Sequence, residues 1–254
     1  MSESRSNPAA GQGACLVFGG TGDGVGARVC ASLAAEGRRV VAVGRKVQET
    51  SKDGNVLQLR GDASSFDEVE RCFEAAREYG EGPVVAVANC VGSALVKPAH
   101  RTTIGDWAQV VGNNLTSAFA VVRAAGLKMQ AGGSVVLCSS AAASVGLADH
   151  EAISAAKAGV EGLVRSAAAT YAGRNLRVNA VAPGPLRSRA KRSVAESEQL
   201  AKVRALPALA RGGRPEDVAA AIVWLLDAGQ SAWVTGTILA VDGGLTDVRV
   251  PASI

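Results

Sequence analysis

The chain has 254 residues, a net charge of +4, and 48% hydrophobic but only 4% aromatic residues. This length suits one α/β domain with a single large core. The weak positive charge gives no argument for nucleic acid as a partner. Because no apolar run of about 18 residues occurs, no membrane span is predicted. Five cysteines without Cys-x-x-Cys spacing predict reduced thiols and a cytoplasmic protein, and two histidines without a His/Cys cluster argue against a metal site.

Short apolar runs alternate with helical patterns from one end of the chain to the other. Residues 1–12 predict a disordered tail, and residues 13–254 predict one domain with an irregular stretch at about 185–214. Near-continuous apolar strands joined by helical crossovers are typical of a parallel sheet covered on both faces. The predicted strands are 15–18, 39–43, 55–59, 84–88, 134–138, 176–181 and 237–241, and the predicted helices lie near 24–36, 65–79, 105–129, 151–173 and 216–227.

A glycine-rich turn follows the first predicted strand and opens the first helix. Residues 19–26 read Gly-Gly-Thr-Gly-Asp-Gly-Val-Gly. In such a turn Gly20 permits the sharp bend, Gly24 lets the backbone approach a pyrophosphate, and Gly26 lets the helix lie close to the strand. The free N–H groups of the helix N-terminus then face the phosphates. A dinucleotide site is therefore predicted, although a flexible turn without a ligand is the alternative; its predicted residues are Gly20, Gly22, Asp23, Gly24, Val25 and Gly26.

The end of the second predicted strand bears on the type of dinucleotide. An NAD-binding protein usually has a carboxylate there for the ribose 2′-OH, whereas this chain has Gly44 followed by Arg45 and Lys46. A guanidinium suits a 2′-phosphate, so NADP is predicted and NAD is the less favoured alternative. The other interpretation of Arg45 is a solvated residue at the end of a loop.

Further short motifs follow the later predicted strands, and together they extend over most of the chain. They resemble those of the short-chain dehydrogenase/reductase family, including the 3-oxoacyl-carrier-protein reductases, over about residues 13–245. The resemblance implies a single-domain, Rossmann-like, doubly wound parallel sheet of about seven strands with helices on both faces. The motifs are Gly61-Asp62-Ala63, Asn89-Cys90-Val91-Gly92, Asn113-Asn114, Arg177-Val178-Asn179-Ala180-Val181-Ala182-Pro183-Gly184-Pro185, Arg214-Pro215-Glu216-Asp217-Val218 and Val241-Asp242-Gly243-Gly244.

The same resemblance implies further cofactor contacts. Asp62 and Ala63 match the residues that contact adenine, and Lys157 matches the lysine that binds the nicotinamide ribose. Asp23 argues against NADP, because relatives that prefer NADP often have a basic residue there. The remaining implied cofactor residues are Asn89 and Gly92 after the fourth strand, Pro183, Gly184 and Leu186 beside the nicotinamide, and Ser188 at the carboxamide.

The segment that should hold the catalytic residues departs from the family pattern at one position. In the family, a serine precedes a Tyr-x-x-x-Lys pair by 13 residues, and the tyrosine transfers the proton. Here Ser140 and Lys157 match the serine and the lysine, Asn114 matches the asparagine of the proton relay, and Ile153 stands in the place of the tyrosine. An aliphatic side chain cannot transfer a proton, so this chain needs another donor or a substrate that needs none there.

His150 is the predicted substitute for the missing tyrosine. It precedes Ile153 by three residues, which in a helix would place both on one face, and its imidazole can titrate near neutral pH. Tyr79 lies on another predicted helix, and Tyr171 lies about 21 Å along the helix from Lys157, so neither is expected to serve. The other interpretation of His150 is a surface residue at a helix start. The predicted catalytic set is therefore Ser140, Lys157, Asn114 and His150.

Three functions remain open on the sequence. The favoured one is an NADP(H)-dependent oxidoreductase acting on a small carbonyl, imine or activated alkene with a non-standard proton donor. The alternatives are a non-catalytic cofactor-binding relative and a lyase, isomerase or cyclase on the same scaffold. The basic run at 187–192 suits either an acidic carrier of the substrate or a solvated loop. The resemblance also implies a homotetramer or homodimer with an interface on the helices near 105–129 and 151–173.

Overall fold

The computed structural model describes residues 13–187, 207–209 and 211–249. These residues form one eight-stranded sheet with helices packed against it, which confirms the predicted single-domain Rossmann-like fold. The predicted tail at 1–12 lies outside the described residues. The strands are β1 (Ala14–Phe18), β2 (Arg39–Gly44), β3 (Ser51–Asp53), β4 (Val56–Arg60), β5 (Val84–Asn89), β6 (Gly133–Cys138), β7 (Leu176–Pro183) and β8 (Ile238–Val241), and the helices are α1 (Val25–Ala35), α2 (Phe66–Gly80), α3 (Ile104–Val111), α4 (Ser117–Lys128), α5 (Glu151–Tyr171), α6 (Pro215–Leu226) and α7 (Ala228–Ser231).

The sheet has the order β3-β4-β2-β1-β5-β6-β7-β8, and its pairs are parallel apart from the antiparallel pair of β3 with β4. The strand absent from the predicted seven is β3, whose three residues are all exposed and so form no apolar run. The strand order reverses on either side of β1. In a doubly wound sheet the carboxyl ends of the strands at such a switch point form the ligand crevice.

The two faces of the sheet are buried by two separate sets of helices. One hydrophobic cluster joins α2, α4 and α5 to the sheet, and the other joins α1 and α6 to it. Both clusters consist largely of Ala and Val, so the low aromatic content is matched by closely approaching elements rather than by large side chains. Among the helices that the structure describes, none is both long and apolar enough to span a membrane.

The helix predicted over 105–129 is interrupted. A π-helical turn at Gly112–Thr116 separates α3 from α4, with αR backbone angles on both sides. An extra residue in a helical turn shifts the faces of the two flanking segments, and such turns are frequent at functional sites. Asn114 lies in this turn and is buried.

Candidate cofactor and active site

The glycine turn joins β1 to α1 and is fixed against the end of β2. The amides of Gly19 and Gly20 both donate to the carbonyl of Val43, at 2.9 and 3.1 Å. The helix α1 begins at Val25 after Gly24, without a side-chain cap and without an acidic residue in its first turn. Its N-terminal N–H groups are therefore available to an anion, as the predicted pyrophosphate site requires.

Two glycines of the turn have different reasons to be glycine. A Cβ at Gly26 would overlap the carbonyl of Gly19, so a larger residue would push α1 away from β1. A Cβ at Gly24 would meet no protein atom within 4 Å. Space left open at the mouth of the turn suits a ligand that approaches the backbone there, and these are the two roles that the sequence predicted for Gly26 and Gly24.

A cavity of about 440 Å³ lies over the carboxyl ends of β1, β2 and β5. The glycine turn lines one side of it, Asp62 and Ala63 line another, and Gly92 lies at one end. The two residues that directly follow β2, Arg45 and Lys46, are basic and exposed, and both line the cavity. The cavity thus brings together many of the residues predicted to bind the cofactor: Gly22, Arg45, Lys46, Asp62, Ala63 and Gly92, joined by Thr21, Gly44 and Cys90.

The carboxylate of Asp62 is ordered by its own loop. It accepts hydrogen bonds from the amide and the hydroxyl of Ser64, at 2.9 and 2.7 Å. Burial acts to raise the pKa of Asp62, but the two bonds from Ser64 and the nearby charge of Arg45 outweigh it and lower that pKa. Asp62 is therefore ionised and positioned at neutral pH, and it can accept a hydrogen bond from an exocyclic amine such as that of adenine.

Lys157 is buried beneath the inner end of this cavity. Only 5% of the residue is exposed, and its Nζ donates to the carbonyl of Cys138 at 2.6 Å. A Cβ at Gly92 would lie 3.3 Å from this Nζ and 2.9 Å from Oδ1 of Asn114. The glycine therefore leaves the lysine and the asparagine close to the cavity, and three of the predicted site residues are brought together.

Both N–H groups of the Asn114 side chain are used within the protein. Its Nδ2 donates to the carbonyls of Ser93 (3.0 Å) and Val110 (2.9 Å), and its Oδ1 accepts from the amide of Ser93 (3.3 Å). Asn114 therefore holds the loop after β5 against α3. Asn89 has a similar part, because its Oδ1 accepts from the amide of Val91 and its Nδ2 donates to Ser117.

Ser140 follows β6 and caps a short 3₁₀ turn at Ala141–Ala143. Its Oγ accepts from the amide of Ala142 at 3.2 Å, and its own hydroxyl proton is left for another acceptor. The preceding Ser139 donates to the carbonyl of Lys157 or to Glu161, which ties α5 to the end of β6. These contacts of Ser139 hold the end of β6, and with it the neighbouring Ser140, against the part of α5 that includes Lys157.

Ile153 is buried in an aliphatic cluster rather than directed at a polar partner. Its exposure is 6%, and it packs with Val110 of α3 and with Ala152 and Ala156 of its own helix. Leu95 and Leu115 cover the same cluster. No hydroxyl is therefore supplied from this position, one helical turn before Lys157.

His150 caps α5 and is not a residue of the helix. The helix begins at Glu151, the carbonyl of His150 accepts the amide of Ser154 at 2.8 Å, and Nδ1 of the ring lies 2.6 Å from the carbonyl of Ala148. The expectation of a shared helical face with Ile153 is therefore wrong, because φ and ψ of His150 (−111° and 15°) are not helical. Among the described residues, no hydrogen bond joins this ring to Ser140, Asn114 or Lys157.

The predicted nicotinamide end is described in part. Pro183 ends β7, the amide of Gly184 donates to Val241 at 3.1 Å, and Leu186 pairs with Gly213. A second cavity, of about 480 Å³, lies here and is lined by Asp23, Gly24, Val25, Arg28, Leu186, Arg187, Pro215 and Glu216. Ser188 and the rest of the predicted basic run, residues 189–192, lie outside the described residues.

Sequence reasoning missed Thr21, Gln58 and Cys138 as site residues. Thr21 and Gln58 line the 440 Å³ cavity, and the carbonyl of Cys138 anchors Lys157. The position of Thr21 inside the glycine turn was the available signal for that residue. Gln58 lies on a mostly apolar strand, where nothing in the pattern distinguishes it.

Comparison with known proteins agrees with this geometry. A family model described as enoyl-(acyl carrier protein) reductase matches residues 20–246. The chain is 34% identical over 248 residues to 3beta-hydroxysteroid dehydrogenase 1 of Eggerthella lenta, covering 92% of this chain and 94% of that protein. It is 35% identical over 181 residues to the inactive 2-(S)-hydroxypropyl-CoM dehydrogenase 2 of Xanthobacter autotrophicus, covering 68% and 78%.

The solved structures point the same way. A short-chain type dehydrogenase/reductase from Mycobacterium ulcerans superposes with a TM-score of 0.84 at 30% identity, covering 93% of this chain and 90% of that one. The family-model match at residues 20–246 includes most of the glycine turn, the strands from β2 to β8 and the helix of Lys157. The chain belongs to the short-chain dehydrogenase/reductase family of oxidoreductases.

Proposed function

We propose that this protein is an NADP(H)-dependent oxidoreductase that reduces, or in reverse oxidises, a small substrate with a proton donor other than tyrosine. The observation that carries the proposal is the cavity over the sheet, which has basic residues at one end and buried Lys157 beneath the other. A nicotinamide cofactor bound there would supply or accept the hydride. The residues of the chain would bind its phosphates, hold its ribose and exclude water.

NADP is favoured over NAD by the charges at the end of β2. Arg45 and Lys46 line the cavity, and Gly44 offers no carboxylate for a ribose 2′-OH. Asp23, the residue that argued against NADP, lines the second cavity with Leu186 and Glu216. Its carboxylate therefore need not lie against the 2′-phosphate.

The proton donor limits the class of substrate. Hydride addition to a ketone leaves an alkoxide, which needs a proton, whereas an iminium or an activated alkene accepts hydride without forming one at that position. The aliphatic surroundings of Ile153 favour such a substrate, and the matching family model is named for an enoyl reductase. Where a proton is required, we assign it to His150 or to water, with Ser140 holding the substrate oxygen and Asn114 holding the loop beside Gly92.

Two observations favour a second candidate, a non-catalytic cofactor-binding protein. The ring of His150 is held by the carbonyl of Ala148 at the cap of α5, and one of the similar proteins is named as inactive. Both candidates require cofactor binding, so binding alone does not separate them. The test is NADPH oxidation by the purified protein in the presence of ketones, cyclic imines and enones. Turnover of an imine or enone supports the oxidoreductase, and tight binding without turnover of any class supports the second candidate.

The assembly and the cellular location are part of the same proposal. We place a homotetramer or homodimer interface on α4 and α5, because Phe119 and Leu127 of α4 are about half exposed, at 48% and 49%. Sedimentation of the wild type beside Phe119→Glu tests this, with a fall to monomer expected. All five cysteines are free, which supports a reducing, cytoplasmic location. An acidic carrier of the substrate at residues 187–192 remains a proposal.

A further inference from the structure

Thr21 lies where the glycine turn meets the end of β2. The turn is fixed there, because the amides of Gly19 and Gly20 donate to Val43, the residue before Gly44. Thr21 is half-buried and lines the 440 Å³ cavity beside Gly44 and Arg45. It is thus the side chain of the turn that faces the strand end on which cofactor choice depends.

The contact between Thr21 and Gly44 excludes any side chain at position 44. A Cβ at Gly44 would lie 2.9 Å from Cβ of Thr21 and 3.1 Å from its Cγ2, and it would overlap Oγ1. Rotation about χ1 moves the γ atoms but leaves the Cβ of Thr21 where it is. A β-branched residue also has few rotamers to use. Thr21 therefore requires a glycine at position 44 for steric reasons. The proposed preference for NADP is compatible with this, because it needs no carboxylate at that position.

The hydroxyl of Thr21 is available to a ligand. Among the described residues it has no hydrogen-bond partner, while the one carboxylate that lines this cavity, Asp62, is held by Ser64 and faces the charge of Arg45. Arg45 itself reaches Asn113 at 3.4 Å, a long bond that a stronger acceptor would replace. The two cations at this end, Arg45 and Lys46, and the donor hydroxyl of Thr21 match a phosphate, and in the part of the chain that the structure describes no carboxylate other than Asp62 lines the cavity to hold a ribose hydroxyl pair.

We infer that Thr21 is a specificity-determining residue that acts together with Gly44. Its hydroxyl donates to the 2′-phosphate of NADP(H), and its bulk prevents position 44 from holding the side chain that would select NAD(H). The inference rests on the proposed NADP(H) dependence and adds to it a steric coupling between two positions.

The hydroxyl is tested with two variants. Thr21→Val keeps the shape of the side chain but removes the hydroxyl, and Thr21→Ser keeps the hydroxyl but removes the methyl group. Dissociation constants for NADPH and NADH are measured by calorimetry, so that no turnover is needed. Thr21→Val is expected to weaken NADPH about tenfold, the size of one hydrogen bond to a charged group, and to leave NADH unchanged. Thr21→Ser is expected to retain the wild-type affinity for NADPH within about twofold.

The steric coupling is tested with Gly44→Asp alone and combined with Thr21→Gly, which removes the Cβ as well as the γ atoms of Thr21. Gly44→Asp alone is expected to weaken both cofactors and to lower the melting temperature, because the carboxylate cannot be placed without moving the turn. The double variant is expected to bind NADH at least tenfold more tightly than Gly44→Asp does, and to prefer NADH over NADPH.

Two results would overturn the inference: wild-type NADPH affinity in Thr21→Val, or equal NADH affinity in Gly44→Asp and the double variant. A wild-type preference for NADH is a different outcome. It would contradict the proposed cofactor and the phosphate contact of Thr21 together, while the comparison of the single with the double variant would still decide the steric coupling. Should Gly44→Asp not fold, Thr21→Val and Thr21→Ser decide the inference through the NADPH affinities.

Discussion

Nζ of Lys157 donates a 2.6 Å hydrogen bond to the carbonyl of Cys138, and Lys157 itself is only 5% exposed. Burial lowers the pKa of Lys157, and the thiols of Cys138 and Cys90 act in the opposite direction. An ammonium has three N–H donors, so this bond fixes the side chain and leaves two donors for a ligand below Gly92. In the proposed function these two donors would hold the nicotinamide ribose, with or without a proton donor at position 153.

Lys157→Met should abolish most cofactor binding while the fold is retained. The apolar side chain fits the buried position but has no donor for a ribose, so the dissociation constant for NADPH is expected to rise at least tenfold by calorimetry. Lys128→Met is the matched control, because Lys128 pairs with Glu74 on the surface and not in the cavity. Unchanged affinity in Lys157→Met would remove this residue from the site.

Ile153→Tyr should create ketone reduction, since it restores the hydroxyl one turn before Lys157. A positioned acid is expected to add about 10²–10⁴-fold in rate, at a cost of about 1–3 kcal/mol in stability, because a larger side chain must enter the aliphatic cluster. Ile153→Phe has the same ring without the hydroxyl and separates the two effects. If the Tyr and Phe variants reduce ketones equally slowly while both bind NADPH, the missing hydroxyl is not what limits the reaction.

His150→Gln should lower turnover about 10²-fold or more if the ring is the proton donor, with the NADPH dissociation constant unchanged. The chain has two histidines, and His100→Gln is the control, because His100 is exposed in the 3₁₀ turn at Ala99–Arg101. Activity that survives this substitution assigns the proton to water.

Arg45→Gln should weaken NADPH about tenfold and leave NADH unchanged, because only NADPH has a phosphate for the guanidinium. The salt dependence of NADPH binding should become shallower at the same time. An equal loss for both cofactors would mean that Arg45 contacts a part that they share.

Stability should fall as the pH rises above about 9. Burial raises the pKa of Cys15 from 9.0 to about 11, and that of Cys30 and Cys72 to about 12. The unfolded thiols therefore release protons in a range where the folded ones keep them, which favours unfolding as the pH rises through that range. Urea unfolding of wild type and Cys72→Ala between pH 8 and about 11 measures this, and Cys72→Ala is expected to lose stability less steeply. Parallel curves would show that Cys72 titrates normally when folded.

Much of the fold could be predicted because its signals are local. The apolar strand runs and the turn at 19–26 are patterns of residues adjacent in the sequence. The structure contains the predicted strands and places the turn between β1 and α1. The exposed strand β3 has no apolar pattern, and the π-helical turn around Asn114 depends on packing against Ser93 and Val110. The roles of the predicted site residues stay predictions, although the structure brings Asn114, Gly92 and Lys157 together.

What the sequence could not reveal depends on contacts between distant segments. Thr21 and Gly44 are separated by a helix and most of a strand, and their exclusion of each other exists only once the turn is fixed to Val43. In the same way, a histidine three residues before Ile153 suggested one helical face, but the helix starts one residue too late for that. Spacing gives the direction of a side chain only inside a regular element.

The most direct test of the proposed oxidoreductase is the transfer of label from NADPH deuterated at the nicotinamide C4 to a substrate, followed by mass spectrometry. The wild type is incubated with representative imines, enones and ketones, with Lys157→Met as the control that should not load the cofactor. We expect an imine or an enone to be converted to a reduced product that has gained one deuterium from NADPH, and NADP⁺ to form with it. Saturating NADPH binding with no deuterium in any product would contradict the oxidoreductase and leave the cofactor-binding relative as the function of this chain.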